Sequence, residues 1–99
     1  MKTIKQVEIT PIFVEEYLPE DKDMKDGELY ISEKWEGSSH FCFCGCGMKI
    51  YIQLSEFPDS DEWLLTKHEN GKVTVSPSLL HLNGCKSHYI ITKNKANFV

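Results

Sequence analysis

Three of the four cysteines fall within five residues, in His40-Phe41-Cys42-Phe43-Cys44-Gly45-Cys46-Gly47, and the fourth opens Cys85-Lys86-Ser87-His88. An extended strand rises about 3.3 Å per residue, which would hold Cys42 and Cys46 about 13 Å apart. Two sulfurs on one zinc ion, each bound at about 2.3 Å, lie at most about 4.6 Å apart. For the pair to share an ion the backbone must turn between them. Gly45 and Gly47 are the residues that can turn it, because glycine reaches positive φ without a Cβ clash. Thiolate and imidazole donors at such spacings favour Zn²⁺ in a closed structural site. The chain is therefore expected to fold around one structural zinc.

Five side chains compete for four positions on that ion: Cys42, Cys44, Cys46, Cys85 and His88. An all-cysteine site releases His88, whereas a Cys3His site releases one thiol from the first cluster. Crowding of ligands at i, i+2 and i+4 mildly favours the second. Disulfides and inert buried thiols are the plainer readings of an even cysteine count. Against bridges, cysteines at i and i+2 bridge poorly, and the first residues do not read as a secretory signal. A Rieske-type iron–sulfur centre would use His40, Cys42, Cys85 and His88, but the first pair runs in reverse order and leaves Cys44 and Cys46 unexplained.

A chain of 99 residues has room for one core, so residues 1–99 are expected to form a single zinc-binding domain. At this size a metal staple supplies stability that the core alone lacks. The net charge is −4 and all eleven basic residues are lysine. Without arginine the chain lacks the planar fork that reads phosphate and guanine, which argues against nucleic acid as a partner. No apolar run approaches the roughly 20 residues of a membrane span. A cytoplasmic setting, where thiols stay reduced, follows from the metal reading.

The remaining pattern is that of strands. Residues 5–17 alternate loosely around Val7, Ile9, Ile12 and Val14, with Pro11 marking an edge or bend. Residues 20–28 form an acidic loop ending in the turn signal Asp26-Gly27. Residues 28–32, 38–43 and 48–54 read as strands, the last two forming a hairpin with the cysteines at its tip. Asn70-Gly71 predicts a second hairpin joining 63–67 to 72–76. Pro77 breaks the pattern, residues 79–83 hold a turn of helix, and 88–92 with 96–99 form a last hairpin over 93–95. A mainly β domain of small antiparallel hairpins with little helix is expected.

Chemistry beyond a structural metal requires a nucleophile and a base. A serine nucleophile needs an imidazole within hydrogen-bond reach, usually oriented by a third group. Ser78 lies just before Cys85, and His40 lies two residues before Cys42. If both cysteines bind one ion, the serine and the histidine are drawn towards each other. His88 replaces His40 as base if the ion takes all four cysteines, and Glu36 is available to orient either ring. The plainer reading makes Ser78 a turn residue and His40 a hydrogen-bond partner of a thiolate. A catalytic zinc with an open position fits the cysteine-rich set poorly. His68 and His81 read as surface or packing residues.

Several motifs together carry a resemblance over nearly the whole chain. Phe13-Val14-Glu15, Gly27-Glu28-Leu29-Tyr30-Ile31-Ser32, the His40-to-Gly47 element, Trp63-x-Leu65, Pro77-Ser78 and Cys85-x-Ser87-His88-Tyr89 follow one another at matching spacings. They resemble the BubE-type family of bacterial ubiquitination-like (Bub) operons, formerly a domain of unknown function. The resemblance implies a peptidase that trims or releases a ubiquitin-like protein, and puts weight on His40, Ser78, Ser87 and His88 beside the cysteines. It also implies the ubiquitin-like protein, and its activating and conjugating enzymes, as partners. Leu79-Leu80-His81-Leu82-Asn83 and the terminal Asn97-Phe98-Val99 depart from the family's glycine- and tryptophan-containing pattern.

Three functions fit these residues. In the first, Ser78 attacks a carbonyl with His40 as base and backbone N–H groups near Gly84 receiving the oxyanion. In the second, a non-catalytic zinc module docks a ubiquitin-like protein or its conjugating enzyme. In the third, a thiol left free by the metal is the nucleophile.

Overall fold

A computed structural model describes residues 6–80 and 87–99. Its strands are β1 (Gln6–Glu8), β2 (Thr10–Val14), β3 (Glu28–Ser32), β4 (Gly37–Phe41), β5 (Lys49–Ser55), β6 (Trp63–Lys67), β7 (Val73–Leu80), β8 (His88–Thr92) and β9 (Lys95–Phe98). They form one sheet in the order β1-β9-β8-β7-β6-β5-β4-β3-β2. The two edges of that order are consecutive in the chain. Ile9, between them, donates its N–H to Asn94 O at 2.9 Å on one side, while the next N–H, of Thr10, bonds Gly27 O at 2.8 Å on the other. One bent segment thus joins both edges and rolls the sheet into a nearly closed barrel, which leaves little open edge.

The mainly β expectation holds, with two additions that hairpin signals do not carry. The β2–β3 pair is parallel, from Thr10↔Glu28 to Val14↔Ser32, and β5–β6 is parallel over Leu54↔Trp63 and Ser55↔Leu64. Both pairings need connections that leave the sheet and return. Alternation fixes the facing: in β5, Ile50, Ile52 and Leu54 are buried while Lys49, Tyr51 and Gln53 are exposed. Leu29, Ile31, Leu54, Val75, Leu79 and Ile91 fill the interior, each contributing about 1.5–3 kcal/mol by burial.

Asn70-Gly71 lies in the β6–β7 turn, closed by His68 N to Lys72 O at 2.8 Å. Lys93 and Asn94, at φ 47° and 65°, make the two-residue turn between β8 and β9. Pro77 does not end its strand. β7 runs through it to Leu80, with a register shift between Val75 and Leu79 that absorbs the missing N–H. Residues 79 and 80, expected in a helical turn, are therefore strand, and residues 81–83 lie outside the described residues. Among the described residues no helix is long and apolar enough to cross a membrane.

Candidate active site and metal centre

The cysteines occupy the turn between β4 and β5. Cys42 N–H donates to Met48 O at 2.8 Å and Gly45 N–H to Cys42 O at 3.0 Å, which closes the loop on itself. Gly45 and Gly47 stand at φ 91° and 84°, the left-handed region that glycine enters without penalty. The result brings the Cys42, Cys44 and Cys46 sulfurs within 4.8 Å of one another. Cys42 and Cys44 sulfurs are 3.4 Å apart, too long for a disulfide bond of about 2.05 Å. Three convergent sulfurs at this spacing can hold a metal ion, and they rank from buried Cys42 through half-buried Cys44 to exposed Cys46.

Ser87, the residue before β8, reaches this turn. The Ser87 hydroxyl hydrogen-bonds the Cys44 sulfur and, with the neighbouring Cys42 and Cys46, holds that thiol below its ordinary range against the opposing effect of burial. Cys85 and Gly84 lie outside the described residues. Ser87, two positions beyond Cys85 in the sequence, stands beside the cluster.

His40 lies behind the cysteines, inside the barrel. It is fully buried, stacks on Phe43 with ring centroids 4.4 Å apart, and its Nε2 is 2.7 Å from the Tyr89 hydroxyl. Tyr89 is also fully buried. Burial, followed by negative charge at Cys42, pushes its pKa far above the ordinary phenol range, while a hydrogen bond from the Phe43 N–H acts the other way. The phenol therefore stays neutral and joins the strand before the cysteines, the cysteine turn and β8.

Ser78 faces the other way. Leu79 and Tyr89 are paired and buried, and so are on the inner face, which turns Ser78 and His88 outward. Leu80 is directly opposite His88, so Ser78, two residues earlier in β7, is its diagonal neighbour. Ser78 Oγ and His88 Nε2 are 2.7 Å apart. The histidine on the serine is thus His88, the alternative base of the sequence reading, and not His40. As a metal ligand His88 would have only Nδ1 to offer. Glu36, expected to orient an imidazole, instead accepts a hydrogen bond from Ser55 Oγ at 2.8 Å.

Two residues of the site escape sequence reasoning. Tyr89 enters the sequence reading only as part of a motif, with no role given to it, and its hydroxyl matters because His40 meets it in the interior. Trp63 donates its indole N–H to the Ser78 carbonyl at 3.2 Å, a contact that depends on the β6–β7 register.

Residues 14–99 match the family model described as BubE, bacterial ubiquitination-like system serine protease. The chain belongs to the BubE family. The match takes in every residue of the cysteine turn, the His40–Tyr89 pair and the Ser78–His88 pair. Comparison with curated proteins and with solved structures gives no match. The BubE description names serine chemistry, and Ser78 is the serine whose hydroxyl meets an imidazole among the described residues.

Proposed function

We propose that this BubE-family chain is a serine peptidase that processes or deconjugates a ubiquitin-like protein. Ser78 is the nucleophile and His88 its general base. His88 Nε2 takes the hydroxyl proton as Oγ adds to the scissile carbonyl, and returns it to the departing amine when the tetrahedral species collapses. Water then repeats the sequence on the acyl-enzyme, with His88 again accepting and returning the proton. The observation that carries this reading is the 2.7 Å Oγ–Nε2 contact on the outer barrel face of a family described as serine proteases.

The thiol cluster fits zinc, with Cys42, Cys44, Cys46 and Cys85 as ligands, which leaves His88 for the serine. Such an ion supplies a cross-link between the two segments and no reacting bond. His40 and Tyr89 then act as interior supports of the cysteine turn. The partners are the ubiquitin-like protein and, beside it, its activating and conjugating enzymes, in a cytoplasm that keeps the thiols reduced.

The test is cleavage of a ubiquitin-like precursor encoded in the same operon, with zinc content measured on the same samples. Ser78→Ala and His88→Ala are expected to abolish cleavage with zinc retained. Binding without cleavage by the wild type would favour a docking module. Cleavage that survives Ser78→Ala but is lost in one zinc-retaining cysteine variant would favour a thiol nucleophile.

A further inference from the structure

A cavity of about 290 Å³ opens beside the strand that carries Ser78, lined by Ser60, Asp61, Glu62, Trp63 and Pro77. Two of its walls are tied to the serine. Pro77 is the preceding residue, and Trp63 is held by its indole hydrogen bond to the Ser78 carbonyl at 3.2 Å. The volume lies just under the roughly 300–1,000 Å³ of pockets that take whole small molecules. It suits one long side chain.

The lining says which side chain. The indole and the pyrrolidine ring give two apolar walls, and the two charged residues are both carboxylates, Asp61 exposed and Glu62 half-buried. Glu62 Oε1 also accepts the Asp59 N–H at 2.9 Å, which closes the 59–62 loop and fixes this carboxylate at the rim. A lysine or arginine can lay its methylene stem along apolar walls and keep its charged head at the acidic rim, with the indole face adding attraction for a cation. An acidic side chain would meet like charge there, and a short one would leave the walls uncovered.

We infer that this cavity is a specificity pocket for a lysine or arginine side chain of the protein substrate, next to the scissile bond, with Trp63 and Pro77 as walls and Asp61 and Glu62 as the charge-selecting rim. The inference rests on the serine peptidase reading for its place next to the bond, but the binding it describes does not need catalysis.

The test uses the zinc-loaded Ser78→Ala chain, so that cleavage does not intervene. Acetylated hexapeptides of alanine and glycine, each with one lysine, arginine, norleucine or glutamate scanned along the sequence, are titrated against tryptophan fluorescence. Norleucine keeps the lysine stem without its charge. At one position the lysine and arginine peptides are expected to bind about tenfold tighter than norleucine, since two partly exposed ion pairs contribute at most about fivefold each. Glutamate should bind more weakly than norleucine. The preference should fall to about twofold or less in Asp61→Asn/Glu62→Gln, whose glutamine keeps the loop-closing acceptor, and turn towards glutamate in Asp61→Lys. Equal binding of lysine and norleucine at every position, or a lysine preference unchanged by the double substitution, overturns the inference. Selective binding without cleavage by the wild-type chain upholds the pocket and counts against the peptidase reading alone.

Discussion

Tyr89→Phe removes one buried oxygen and leaves the ring. The hydroxyl is 2.7 Å from His40 Nε2 and accepts from the Phe43 N–H, and His40 and Tyr89 are both fully buried. Water cannot replace the lost hydroxyl there, so its removal costs about 1–3 kcal/mol, towards the upper end because it serves two groups. The ring contacts with Phe43 and Phe98, at centroid separations of 5.6 and 5.0 Å, survive the change, which rules out a large cavity. We expect a loss of about 2–3 kcal/mol. For a domain of this size each kcal/mol moves Tm by about 4–8 °C, so the midpoint should fall by roughly 8–24 °C. Urea unfolding of the zinc-loaded protein, followed by tryptophan fluorescence, reads the same quantity, with the midpoint lowered and the slope unchanged. Ser78→Ala, at the outer face, is the control and should cost no more than about 1 kcal/mol. A Tyr89→Phe loss below about 0.5 kcal/mol, within the ordinary range of surface changes, would refute the buried junction between cysteine turn and β8.

Other expectations follow from the same geometry. His88→Gln should lower kcat for precursor cleavage by about a thousandfold or more with zinc stoichiometry unchanged, checked by steady-state kinetics and metal analysis. Gly47→Ala should cost about 1–2 kcal/mol and weaken zinc binding, read by competition with a chromogenic chelator, because φ is 84° while the space around a new Cβ is open. Leu79→Ala, at a position 1% exposed, should lose about 2–5 kcal/mol in the same urea assay. Chelation of the native protein should lower its midpoint and expose Ser87, seen as faster amide exchange at Ser87 and the start of β8, since Ser87 is bonded to the cysteine turn.

The β class, the cysteine hairpin tip and the Asn70-Gly71 turn were legible because each rests on local chemistry: alternation, glycine at positive φ, and an Asn-Gly pair. The parallel pairings and the closure at Ile9 were not, since they depend on which distant strand a backbone amide meets. Pro77 misled for a related reason. Proline ends a regular ladder, yet a register shift lets β7 continue past it. At the site, spacing drew Ser78 and both histidines towards the cysteines but favoured His40 as the base, with His88 only as its replacement. What assigns His88 to Ser78 is the parity of β7 and β8, which turns Leu79 and Tyr89 in and Ser78 and His88 out. Sequence distance carries no such information about faces.

The most direct measurement is the site of covalent labelling by a fluorophosphonate, located by mass spectrometry on the zinc-loaded chain. One adduct per chain on the peptide containing Ser78, lost in His88→Gln and kept in His40→Ala variants that still fold, is the predicted result. An adduct on another residue, or labelling of Ser78 indifferent to His88, would contradict the account.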